Sequence, residues 1–356
     1  MQHTTLLFFL LASQFALAQP IQKISGTVID EEFQQGIPGV HVSYNDGELG
    51  TVTNADGRFV LKYRGELEQL TFSHLGFQSL VIPGNEITPT LQVTLSSQTQ
   101  QLQEVIIRDL SAAEVVKKAA QRLEDNHYVE PVEYTFHTQI MDFGLDSTLH
   151  LLEEYAGHVL HKKNHQSDIG LIKSRINAYS PKGQEDLKEH RLIAMSTMNW
   201  DNVVLSKEDC FRWRHRYKYT FTFGDNAMIN DRLCYQIHYR TDSRAYPSKG
   251  TLFIDVEDFG IHRKVDGKSL TTEITCSRIN GQYYLQSVTR INSRKEYHNV
   301  RNTLYNLSEV PTDGELVPLR SIMTDFSVEY MSDFTDAFWD EYNYQVLPDW
   351  VKNQME

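Results

Sequence analysis

The feature that most constrains this chain is two-residue alternation along its backbone. It is strongest in FRWRHRYKYTFTF, Phe211 to Phe223. Odd positions there are Phe211, Trp213, His215, Tyr217, Tyr219, Phe221 and Phe223, and even positions are Arg212, Arg214, Arg216, Lys218, Thr220 and Thr222. Successive side chains of a strand point to opposite faces, so the pattern predicts one strand with an aromatic face and a cationic face. Thirteen residues at about 3.3 Å each would span ~43 Å, which demands a bend or a tall, curved sheet. The expected role is core on one side and solvent on the other. The functional alternative is an aromatic wall for an apolar, lipid or glycan ligand, built from Trp213, Tyr217, Tyr219 and Phe221, or a basic face toward anionic lipid head groups.

The same alternation recurs from end to end. Ile21 to about Ile107 reads as short strands broken by turns, a spacing that predicts a small β-sandwich. In TNADGRF, Asn54 and Asp56 are able to hydrogen-bond main-chain groups two residues on, and Gly57 tolerates positive φ. These three residues are read as a structural turn, with Val52, Phe59 and Leu61 supplying core. Calcium is disfavoured, because the loop is short and lacks the closing glutamate. Ser111 with Glu114 three residues on forms a capping box, and an apolar stripe through Val115, Val116 and Ala119 predicts a helix from about Ala112 to Asp125. From Tyr134 to about Asn299 the chain returns to long strands joined by short turns, an antiparallel meander. Asn280-Gly281 is its strongest hairpin signal and sets Ile279 opposite Gln282. The aromatic end DAFWDEYNYQVLPDW is expected to dock on the sheet.

The order ISGTVID, GIPGV, GTVTNADGRFVLKY, HLGF and finally Leu102-x-Glu104-Val105 resembles the carboxypeptidase-regulatory-like domain. The resemblance implies a transthyretin-like or immunoglobulin-like sandwich. Such domains precede the plug of TonB-dependent receptors in the Bacteroidota and head other envelope proteins there. The helix, the meander and GTLFIDVEDFGIHR are similar to the half-barrel domains of lipoprotein-sorting periplasmic proteins. There a curved antiparallel sheet closes on a helix.

Mainly β architecture follows. Its expected parts are a signal peptide over 1–18, a sandwich over 19–107, a helix and linker over 108–130, and a half-barrel over 131–356. The apolar run from Leu6, ending in Ala16-Leu17-Ala18, fits an export signal cut after Ala18 and is too short for a membrane span of about 20 residues. A formal net charge of −13 disfavours nucleic acid as a partner.

The candidates for chemistry are few. His150-x-x-Glu153 with the distant His262 imitates a zinc carboxypeptidase ligand set, but an antiparallel meander is the wrong scaffold for one, so no metal, cofactor or catalytic residue is expected. His158, His161 and His165 read as solvated surface histidines, with His158 on the opposite strand face from the other two. Cys210, Cys234 and Cys276 match no zinc spacing. If Gly224 to Asp231 is one turn, Cys234 falls opposite Phe221, and Cys210 lies too far off for a bridge. The function expected is non-enzymatic: binding, carriage or assembly at the periplasmic or outer-membrane face. A zinc peptidase and a structural partner of an outer-membrane complex are the alternatives.

Overall fold

The structure is a computed structural model. It describes residues 20–45, 49–98, 110–127, 131–162, 166–189, 210–211, 216–242, 249–267, 270–293, 297–307, 316–318, 332, 335–342 and 345–355. The expected signal peptide, Trp213 and His165 lie outside these residues.

Seven short strands come first: β1 (Gln22–Asp30), β2 (His41–Tyr44), β3 (Leu49–Val52), β4 (Arg58–Tyr63), β5 (Gln69–Ser73), β6 (Leu80–Pro83) and β7 (Thr90–Leu95). They form a three-stranded sheet, β4-β1-β7, and a four-stranded sheet, β3-β2-β5-β6. Val28, Val40, Val42, Phe59, Leu61, Leu70 and Phe72 are buried in one cluster between them. The Asn54 turn carries the chain from β3 in one sheet to β4 in the other, so the two strands are not a paired hairpin. Asn54 Oδ1 accepts from the N–H groups of Asp56 (3.0 Å) and Arg58 (2.9 Å), and Gly57 sits at φ 75°. Inward-facing side chains at this turn include Thr51 and Thr53, with Val52 only half-buried. Thr53 Oγ1 donates to the Ile37 carbonyl at 2.6 Å and accepts from Val40 N–H at 2.8 Å.

The capping box forms as read. Ser111 Oγ accepts from Glu114 N–H and the Glu114 carboxylate accepts from Ser111 N–H. Helix α1 runs Ala112–Gln121, and a short α2 (Leu123–Asn126) follows in place of one continuous helix. Then come β8 (Val132–Gly144), β9 (Leu149–Lys162), β10 (Gln166–Ala178), α3 (Pro181–Glu189), β11 (Thr220–Phe223), β12 (Ala227–Ile229), β13 (Arg232–Arg240), β14 (Lys249–Asp255), β15 (Ile261–Gly267), β16 (Leu270–Ile279), β17 (Gln282–Ser293), β18 (Tyr297–Leu307), β19 (Val317–Pro318), α4 (Phe338–Glu341) and α5 (Asp349–Lys352).

Twelve of these strands make one open antiparallel sheet, ordered β11-β13-β14-β15-β16-β17-β18-β8-β9-β10-β19 with β12 on β13. Ile279 pairs with Gln282, and Asn280 and Gly281 hold the tight turn at φ 50° and 87°. One face carries Tyr134, Phe136, Tyr155, Val159, Ile237, Leu252, Ile274 and Val288 around the buried side of α1. The aromatic C-terminal end docks on the opposite face. Tyr342 Oη donates to the carbonyls of Phe136 (3.0 Å) and Gly157 (3.1 Å), and Met141, Leu149, Leu152, Leu347 and Val351 pack together. No helix among the described residues is long and apolar enough to cross a membrane.

Candidate functional site

The turn from β14 to β15 carries the densest polar chemistry among the described residues. Asp255 Oδ1 accepts from Arg232 Nη2 (2.9 Å) and from the N–H groups of Glu257 (2.9 Å) and Asp258 (3.1 Å). Its Oδ2 accepts from Arg232 Nε at 2.5 Å and lies 3.2 Å from His262 Nε2. Tyr283 Oη donates to Asp258 Oδ1 at 3.1 Å, and His127 stacks on the Tyr283 ring at 5.1 Å. Cys234 completes a Cys-Asp-His group whose ligand atoms lie within 4.8 Å of one another.

The protonation states make this group a brace. Burial raises the Asp255 carboxyl, but hydrogen bonds from His262 and Arg232 outweigh it and hold it well below the usual carboxylate range. Burial, reinforced by Asp255, pushes the Cys234 thiol far up. Burial likewise raises the Tyr283 phenol. A metal ion would have to compete with the Arg232 guanidinium for both Asp255 oxygens. The group ties β13, the turn and β17 together, and it presents no activated nucleophile.

The other histidine candidates separate. His150 Nδ1 lies 2.9 Å from Ser180 Oγ, whereas Glu153 takes the Tyr155 hydroxyl and His262 belongs to the Asp255 brace. The register of β9 on β8 shifts at His150, with Leu151 opposite Asp142 and Leu149 opposite Phe143, so His150 stands outside the alternation that orients Glu153 and the two take separate partners. His158 pairs with Glu133 at 3.3 Å. His161 corrects the expectation of a solvated surface residue: it is buried against Ser167 and Tyr134.

The expected strand over 211–223 is also corrected. Among the described residues of this stretch only Thr220–Phe223 is strand, and the chain at Arg216 to Lys218 is helical turn and turn. Tyr217 is 78% exposed. Tyr219 is buried against Tyr239, and Phe221 packs on the same core. The hairpin register differs too. Asn230 and Asp231, both at positive φ, make the turn, so Cys234 pairs with Ala227 and Phe221 with Tyr239. All three cysteines are buried and unbridged.

With Tyr219 and Phe221 turned into the core, their even-numbered neighbours face the other way, into an open groove of about 700 Å³. Register explains its lining. Thr220 stands opposite Arg240, and Arg240 opposite Lys249. The next row on the same face is Thr222, His238, Thr251 and Val265. Threonine methyls, Val265 and glycine backbone give it a carbon floor, and His238 Nδ1 lies 3.1 Å from Thr251 Oγ1. The even face of β11 is Thr220 and Thr222, and the cations beside it, Arg240 and Lys249, come from β13 and β14. The signal was present in HYRTDSRAYPSKGTLF, where Arg240 and Lys249 flank a stretch containing serine and proline.

Fold and site define a β-sandwich joined to an open, curved antiparallel sheet with a ligand-sized groove on its outer face. Residues 24–107 match the family model of the CarboxypepD_reg-like domain, in agreement with the marks from Gly26 to Val105. No curated protein matches the chain. Among solved structures, a LolA superfamily protein from Nitrosomonas europaea is similar at 14% identity and a TM-score of 0.30, covering 61% of this chain and 98% of that one. A DUF1329 family protein from Desulfovibrio piger is similar at 13% identity and a TM-score of 0.29, covering 57% and 96%.

Proposed function

We propose that this chain is a non-enzymatic binding protein of the bacterial cell envelope, and that the outer-face groove between β11 and β16 holds its ligand. The observation that carries the reading is the groove itself: about 700 Å³, inside the range of small-molecule sites, with a carbon floor and a few polar groups at one rim. Export is supported by the apolar run ending at Ala18 and by the family of the sandwich. The binding role is supported further by the Asp255 group, whose protonation states suit a structural corner better than a reacting centre.

The test is native mass spectrometry on the purified full chain. The expected result is a small-molecule adduct that is released on denaturation and lost in Thr222→Trp, a change at an exposed groove position. A clean mass for the parent chain would end the reading.

One observation favours a second reading, a structural partner in a membrane complex. Edge strand β6 exposes Leu80 and Val81 and pairs only with β5 among the described residues. Such an edge suits strand addition by another protein. Co-purification of a protein partner that is lost with Val81→Lys would support it over carriage.

A further inference from the structure

We infer that the groove recognises an anion, and specifically a phosphate-type oxyanion carried on a larger molecule. The inference rests on the binding role proposed above and narrows it to a ligand class. Its core is a cross-strand pair. Arg240 on β13 and Lys249 on β14 are direct partners on the same face of the sheet. Like charges set directly opposite one another destabilise a sheet. Neither residue has a carboxylate partner among the described residues, and both are exposed.

Several cations elsewhere on the large sheet have carboxylate partners. Arg263 pairs with Glu273 at 2.7 Å, Lys264 with Asp266 at 3.0 Å, Arg175 with Glu154 at 2.5 Å, and Arg232 with Asp255. In a chain of formal charge −13, carboxylates are abundant. Yet the groove is lined by Thr220, Thr222, His238, Arg240, Lys249 and Thr251, with no aspartate or glutamate among its described lining residues. An anion between Arg240 and Lys249 would remove the repulsion. The guanidinium fork suits two oxygens of a tetrahedral anion, the ammonium supplies a point charge, and Thr220 supplies a hydroxyl beside them. Phosphate alone would fill a small part of 700 Å³, so the remaining space over Thr222, Thr251 and Val265 fits the body of the molecule that carries it.

Two sources share this chemistry, a soluble phosphorylated solute and a lipid head group. The test titrates the full chain with inorganic phosphate and, separately, with phosphatidylglycerol/phosphatidylcholine vesicles against pure phosphatidylcholine vesicles. The doubly neutral variant R240Q/K249Q is compared with Lys23→Gln, which removes an exposed cation of the sandwich. At least one anionic probe is expected to bind the parent chain, more weakly as salt rises, and to bind R240Q/K249Q about tenfold less tightly. Lys23→Gln leaves binding unchanged. Binding of phosphate points to a soluble solute, and binding of the anionic vesicles alone points to a lipid. R240Q/K249Q keeps or raises Tm, because a repulsion has been removed. Failure of both anionic probes, equal binding by the double variant, or a drop in its Tm of several degrees would overturn the inference. An uncharged adduct seen by mass spectrometry and retained by R240Q/K249Q would overturn it too, while leaving the binding role intact.

Discussion

Lys62 Nζ, on the sandwich strand β4, donates to the main-chain carbonyl of Trp339 at 2.7 Å, 277 residues further along the chain. The same ammonium reaches the Tyr342 carbonyl at 2.8 Å, and Lys62 is buried. A buried lysine is tolerated when acceptors replace its water, and two carbonyls do so here. Lys62 thus joins the sandwich to the C-terminal segment lying on the large sheet. Removing it strands those carbonyls. Lys62→Met is expected to cost about 2–3 kcal/mol, the scale of hydrogen bonds to charged groups. The denaturant midpoint measures it, with an unchanged slope showing that the loss lies in stability. An unmoved midpoint would mean that the bonds contribute nothing.

The Asn54 turn makes a second tether. Asp56 Oδ2 accepts from the N–H of Asp349 at 2.8 Å, and Asn54 Nδ2 donates to the Leu347 carbonyl at 3.1 Å. Helix α5 begins after Pro348, which provides no side-chain cap, so Asp56 supplies the cap from another part of the chain. Asp56→Ala should cost about 1 kcal/mol, as loss of a cap does. Arg58→Ala should cost less than about 0.5 kcal/mol although Arg58 pairs with Asp349 at 2.7 Å, because both side chains are nearly half exposed. Equal effects of the two changes would remove the distinction between cap and surface pair.

Acid stability should track Glu154. It is fully buried, and burial alone would raise its carboxyl. Hydrogen bonding and charge from His137 (3.3 Å) and Arg175 (2.5 Å) override that and hold it at about 2, below the ordinary 4.5. A depressed carboxyl pKa contributes stability that is complete above the unfolded value and is lost as pH falls through the folded one. The window is therefore about pH 4.5 down to 2. Glu154→Gln leaves Arg175 buried without its carboxylate and is expected to cost roughly 3 kcal/mol at neutral pH. It should also flatten Tm against pH within that window. An unchanged acid limb in the variant would assign the loss to other groups.

Legibility in the sequence followed the range of each interaction. The capping box at Ser111 and the turn at Asn280-Gly281 are set by neighbours within a few residues, and both are where the sequence puts them. The alternation at Thr220 to Phe223 was read on the correct faces. Its extension back to Phe211 was not, because the turn at Arg216 to Lys218 interrupts a pattern that periodicity alone continues. The hairpin register slipped since the chain inserts β12 and turns at Asn230-Asp231. The Asp255 brace, the Lys62 tether and the Arg240–Lys249 opposition join residues whose pairing only the sheet order creates. Each appears in the sequence as an isolated polar residue.

The three thiols give a last prediction. Cys210, Cys234 and Cys276 are buried and unbridged. Burial pushes the Cys276 thiol up to about 12, and burial together with Asp255 pushes Cys234 higher still. Alkylation proceeds through the thiolate, so a thiol that is both covered and poorly acidic reacts slowly. Iodoacetamide at pH 8 should leave the native chain unlabelled and should modify all three cysteines after denaturation without reductant. The count comes from intact mass before and after unfolding. If denatured chain takes a single label, two of the thiols form a bridge and the packing around Cys234 or Cys276 described here is incorrect. If native chain labels readily at Cys234, the Asp255 brace opens on the timescale of the reaction, and its role as a fixed corner fails with it.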